Sequence, residues 1–170
     1  MTCAILALLK VLGPLLLAVV VAIATWQFQK WQIRLAKQKL RHDLYDRRWA
    51  IYVAFEELLV ALPEKSDEEI KAALRKAEIA IRQGPFLLGD PKIQTYLEGL
   101  CKEVTDDVIG NIMFLDAMRE QGAVGGPEFG PEIARRATAL VRAKHTIPDR
   151  HLGELSEQFT QFLKLTDFWK

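Results

Sequence analysis

Cysteine occurs only twice, histidine three times and serine twice in these 170 residues. Cys3 and Cys101 make neither a ligand cluster nor a disulfide framework, which suits a reducing compartment, and each reads as a small apolar residue. His42, His145 and His151 never stand at i,i+4 with a carboxylate in a metal-binding pattern, so each is expected at a helix terminus or on the surface. Ser66 is explained by helix capping and Ser156 lies mid-helix without an elbow motif, which removes nucleophilic serine chemistry. No run alternates apolar and polar residues for long enough to make a strand. The expectation is an all-α chain that is not an enzyme and holds no metal and no cofactor.

Glycine and proline are also missing, from Pro14 all the way to Pro63. That stretch opens on the apolar run Leu15 to Trp26 and passes directly into basic, helix-forming sequence. Taking Val11 to Phe28 as a core gives about 27 Å of helix, close to the ~30 Å of a bilayer's hydrocarbon. The pattern predicts an uncleaved transmembrane anchor over residues 1–29, N-terminus outside, with a cytoplasmic domain over 30–170 at a bacterial inner membrane. Ala22-Ile-Ala24 imitates a signal-peptide cleavage site, but the helical pattern runs through it and the flank behind it is strongly basic. In this reading Lys10 snorkels outward, Trp26 and Trp31 lie in the inner aromatic belt, and Lys30, Arg34, Lys37 and Arg41 lie at the membrane interface, as a solvated face whose positive charge sets the topology or, alternatively, against anionic lipid.

The net charge of +1 hides an asymmetry. Seven basic residues from Lys30 to Arg48 face only Asp43 and Asp46, a net of +5. Lys30, Arg34, Lys37, Arg41 and Arg48 fall on one side of a helix, and residues 30–44 are expected to be a basic stalk. Beside them runs an apolar stripe of Ile33, Leu40, Leu44, Ile51, Phe55, Leu58 and Leu62, with a second strip at Tyr45, Trp49, Tyr52 and Val53. Beyond Leu44 the helix is therefore expected to be the central post of a bundle. Asp43, Asp46, Arg47 and Arg48, with Arg41, are candidates for a structural polar network that clamps this helix to its neighbours.

Further along, Ser66-Asp-Glu-Glu69 is a capping box that starts a second helix, which Gly84-Pro85 is expected to end. Asp90 and Pro91 open a third helix reaching about Gln121, with Ile93, Leu97, Leu100, Val104, Val108 and Leu115 buried. A fourth is expected over about 132–144, burying Ile133, Ala137, Leu140 and Val141. A final one follows Ile147-Pro148-Asp149, with Leu152, Leu155, Phe159 and Phe162 on one face and Phe168-Trp169 docking behind it. The sum is a bundle of about five helices.

The glycine-rich loop from Gly122 to Pro131 lacks the lysine and hydroxyl of a phosphate cradle and follows no strand, which excludes a nucleotide loop of that kind. Glu103, Asp106 and Asp107 share a helix edge, but the spacing shows no second helix of carboxylates or histidines to answer them. Arg135, Arg136, Arg142 and Lys144 offer a second basic patch, yet the chain outside 30–48 is net acidic and carries no reader motif, so no nucleic acid is expected.

The run from Trp31 to Tyr52, which contains Lys39-Leu-Arg-His-Asp-Leu-Tyr-Asp-Arg-Arg48, resembles a group of uncharacterised bacterial single-pass membrane proteins with an N-terminal anchor and a KLR-x-DLYDRR-like helix. Phe86-Leu-Leu-Gly-Asp-Pro-Lys-Ile-Gln-Thr-Tyr-Leu97 is similar to the same group's FLFG…I…YL segment. The resemblance implies no reaction and no binding residues. Anchor, stalk and bundle together point to a membrane-anchored helical interaction or regulatory module, bound to the lipid bilayer, to copies of itself or to an unknown protein partner. The rival expectations are a membrane-acting effector in defence or toxicity, and a membrane-tethered enzyme.

Overall fold

The computed structural model describes residues 2–120 and 129–163, with side chains at 13–14, 16–120, 129–160 and 163. Every described element is helical: α1 (Thr2–Glu64), α2 (Asp67–Leu87), α3 (Pro91–Val104), a π-turn (Thr105–Ile109), α4 (Gly110–Glu120) and α5 (Gly130–Leu163). Internal contacts divide the chain into a first unit, Met1–Leu44, and a second, Tyr45–Lys170. Helix α1 enters both.

The first unit corrects the expected span. Among the described residues no helix is long and apolar enough to cross a membrane. From Leu16 to Phe28 the described apolar run covers only ~20 Å at 1.5 Å per residue, against the ~30 Å that hydrocarbon demands. Gln29, Lys30, Gln32 and Arg34 then follow it. The transmembrane anchor, the single-pass topology and the inner-membrane placement with its outside N-terminus are set aside with that finding. Val11, Leu12 and Leu15, which the expected span also used, have side chains outside the described residues.

In the second unit α1 supplies the post of the core, with Phe55, Leu58, Leu59 and Leu62 fully buried and Ile51 nearly so. These positions recur by threes and fours, as a helix covered along one face requires. Helix α2 starts at its capping box: Ser66 Oγ accepts from the Glu69 backbone N–H, and the Ser66 N–H donates to Glu69 Oε2 at 3.1 Å. Its stripe Ile70, Leu74 and Ala77 is buried and packs on α3. The turn between them needs Gly89, whose φ of 66° is left-handed backbone that a side chain would strain. Asp90 then caps α3 by accepting from the Lys92 N–H at 2.8 Å, with Pro91 in the first turn where its missing donor costs nothing.

Two expected helix breaks do not occur, and the described residues form four continuous helical segments where about five were expected. Gly84-Pro85 lies inside α2, which runs on to Leu87. Likewise Pro148 lies inside α5, so the two expected C-terminal helices are one. A mid-helix proline costs ~3 kcal/mol. Against it stands a stripe that passes through unbroken, Leu140, Ile147, His151, Leu155 and Phe159, all buried. Burying a large apolar side chain returns ~1.5–3 kcal/mol each, so packing outweighs the proline. Leu152 and Val141, expected to face inward, are 38% and 59% exposed because this stripe points elsewhere. Phe162, Phe168 and Trp169 lie outside the described side chains, and Gly122 to Glu128 outside the described residues.

The expected third helix is interrupted in hydrogen bonding although not in direction. Thr105–Ile109 forms a π-turn, closed where the Gly110 N–H donates to the Thr105 carbonyl. Such a turn carries one extra residue in a helix and leaves a carbonyl without its usual partner. Asn111, only 6% exposed, lies just beyond the turn and its Nδ2 donates to the Asp107 carbonyl at 2.6 Å. Helix α5 packs on both the π-turn and α4.

Candidate functional site

Two features stand out from ordinary packing. One is the side of α1 in the first unit, the other a polar cluster between α3 and α5 in the second.

In the first unit large apolar side chains lie open along the helix. Leu16 is 59% exposed, Ile23 52%, Trp26 55%, Ile33 56% and Leu40 60%. Of the residues expected at a lipid interface, the ammonium of Lys30 sits over the Trp26 ring, 3.6 Å from its centroid, and Trp31 packs on Phe28 with ring centroids 6.1 Å apart. Arg34, Lys37 and Arg41 are exposed, and the Lys10 side chain lies outside the described residues. Of the expected polar network, Asp43 is exposed in the first unit. Asp46 and Arg47 are exposed in the second and enter no ion pair among its described residues. Arg48 is half-buried, and its Nε donates to the Leu87 carbonyl at 2.7 Å, tying α1 to the end of α2.

The polar cluster begins with His151, which occupies a core position of α5 between Ile147 and Leu155 and is 8% exposed. It is not the surface histidine the sequence suggested. A buried imidazole needs partners for both nitrogens. Nε2 donates to Glu103 Oε2 at 3.0 Å, and Nδ1 lies 3.1 Å from the Tyr96 hydroxyl and 3.4 Å from Glu154 Oε2. When Nδ1 is unprotonated, the phenol donates to it; when it carries a proton, Glu154 is the acceptor and Tyr96 turns to the His151 carbonyl at 3.4 Å. Arg150 adds a 2.8 Å ion pair to the other oxygen of Glu103. Helix α3 therefore presents Tyr96 and Glu103, two turns apart, to an answering pair on α5. The Glu103 edge does have a second helix to answer it.

Burial, reinforced by Glu154 and Glu103, raises the Tyr96 pKa well above the ordinary phenol range, so this hydroxyl stays protonated and serves as a donor. Burial likewise pushes the Cys101 thiol up to about 12, with Glu78 adding to it. Neither group is poised as a nucleophile. No group of three or more histidine, cysteine, aspartate or glutamate side chains among the described residues could hold a metal ion.

The second basic patch is mostly paired. Arg135 and Arg136 both grip Glu132, at 2.7 and 2.9 Å, which holds the Glu132 carboxyl below its usual range. Arg136 also reaches Asn111 Oδ1 at 3.3 Å and lies 5.2 Å from the Phe114 ring centroid. Lys144 binds Asp67 at 2.8 Å, joining α5 to the start of α2. Arg142 is the member left over, and it lines a cleft beside Glu103 and Asp107. The signal for His151 was present in the sequence as Ile147, His151, Leu155 and Phe159, spaced by fours with one polar member. The π-turn left no such trace.

No family model, curated protein or solved structure matches this chain.

Proposed function

We propose that the protein is a helical interaction module that self-associates through residues 16–40 of α1. The observation that carries this is the uncovered apolar surface of that segment, where Leu16, Ile23, Trp26, Ile33 and Leu40 all stand more than half exposed. Scattered exposed leucines are ordinary, but a contiguous series this long on one helix marks a surface that is covered in use. Leu16, Val19, Ile23, Trp26, Ile33 and Leu40 fall on the alternating three- and four-residue spacing of a helix-pairing seam. Lys30 and Lys37 complete that spacing, and a polar residue in a seam sets register and orientation at some cost in stability. In-register parallel pairing would set Lys30 against Lys30 and Lys37 against Lys37, so an antiparallel or staggered arrangement of two copies is favoured. A second copy is the occupant because the seam repeats within one helix and needs only the same pattern opposite.

The test is sedimentation equilibrium of the full chain and of Ile23→Lys/Ile33→Lys. The wild type is expected at a multiple of its 19.3 kDa mass, and the variant at that mass with unchanged helix content. A wild type that stays monomeric contradicts the proposal. So does a monomer that floats with phospholipid vesicles, because lipid and not a second copy would then cover the face.

A further inference from the structure

We propose that the cleft between the π-turn and α5 binds a small zwitterion of the amino-acid class, with its ammonium on Asp107 and its carboxylate on Arg142. The cleft holds about 240 Å³ and is walled by Glu103, Asp107 and Asn111 on one side and Arg142, Thr146 and Arg150 on the other. At about 30 Å³ per molecule that is room for roughly eight waters. It is smaller than the ~300–1,000 Å³ of a drug-sized pocket and fits a small metabolite.

The charges in it are not equally free. Glu103 is fully engaged by Arg150 and His151. Asn111 spends both ends of its amide, on the Asp107 carbonyl and on Arg136. The Asp107 carboxylate, the Arg142 guanidinium and the Thr146 hydroxyl have no hydrogen bond or ion pair among the described residues. Asp107 and Arg142 thus line one cleft as opposite charges with no ion pair between them, and a ligand carrying both signs completes each. A bare anion entering here would meet the unpaired Asp107, and a bare cation the unpaired Arg142, so a single charge is penalised either way.

The backbone supports the same assignment. Asp107 is the middle residue of the π-turn, and such turns occur frequently at functional sites. The 2.6 Å bond from Asn111 to the Asp107 carbonyl fixes the residue that carries the carboxylate. Asn111 is a positioning residue in this account.

The experiment is an NMR titration of the full chain with each of the twenty common L-amino acids, and with acetate and methylammonium as half-ligands. At least one amino acid is expected to shift the Asp107 and Asn111 backbone amides saturably, and each half-ligand to bind at least tenfold more weakly. Asp107→Asn and Arg142→Gln, both at exposed positions, should each weaken that binding at least tenfold with circular dichroism unchanged, whereas Arg135→Gln should not. No saturable shift from any amino acid overturns the proposal, as does equal binding of acetate alone or indifference to both cleft substitutions.

Discussion

Replacing Phe159 by alanine tests the most consequential departure from expectation, the continuity of α5 through Pro148. Phe159 is fully buried, and its ring meets Tyr52 of α1 edge-on with centroids 5.5 Å apart. It lies eleven residues beyond the proline, so its docking depends on the helix keeping its phase across that position. Truncating a fully buried phenylalanine costs ~3–5 kcal/mol, of which the edge-on ring contact supplies ~0.5–1.5. Set against a typical domain stability of ~5–15 kcal/mol, that is a large share. For a unit the size of Tyr45–Lys170 it corresponds to a Tm lowered by about 12–20 °C. Thermal and urea unfolding followed by far-ultraviolet circular dichroism read it directly. Val141→Ala, at a site 59% exposed on the same helix, is the control and should change stability by less than ~0.5 kcal/mol. A loss below ~1 kcal/mol at Phe159, or one matched by Val141, would mean that α5 does not carry its apolar stripe across the proline in this register.

Asn111→Ala should cost ~1–3 kcal/mol by urea titration, because it removes the bonds of a buried amide to the Asp107 carbonyl and to Arg136; a neutral result would mean the π-turn does not need that amide. Alkaline pH should destabilise the protein, since Cys101 and Tyr96 hold their protons more tightly when folded than when unfolded. Their stabilisation is intact below the unfolded pKa values and is lost as pH rises, from about 9 towards 12 for Cys101 and from about 10 upward for Tyr96, at up to ~1.4 kcal/mol per pH unit for each group. Cys101→Ala should flatten part of that decline, and native Cys101 should resist iodoacetamide at neutral pH. Ser66→Ala should raise the Glu69 pKa part of the way back towards that of a free glutamate, because it removes the hydroxyl bond that lowers it most while the backbone N–H of residue 66 still donates; carbon-13 titration of the Glu69 carboxyl would show no change if the capping box were absent in solution.

Much of the bundle was legible because its signals are local. The capping box at Ser66, the Asp90-Pro91 start of α3 and the three-four spacing from Ile51 to Leu62 each specify structure within a few residues. Pro85 and Pro148 misled for a tertiary reason: a break is the local preference of each, and only the packing of Leu87 on one side and Ile147 on the other shows that it loses. The apolar opening of α1 misled because hydrophobic character was read as one span across residues whose described run is shorter than a bilayer. The clamp of Tyr96, Glu103 and His151 joins positions 48 and 55 residues apart, and no spacing rule connects them. The π-turn comes with a bond from the buried Asn111 to the Asp107 carbonyl, a contact invisible in composition or periodicity.

Hydrogen exchange by mass spectrometry at a low and a high protein concentration tests the self-association account most directly, because it locates the covered surface. Protection over residues 16–40 should rise with concentration while residues 51–62 and 140–159, whose apolar stripes are already buried within one chain, stay constant. Protection over 16–40 that does not depend on concentration would contradict the claim that a second copy covers that face.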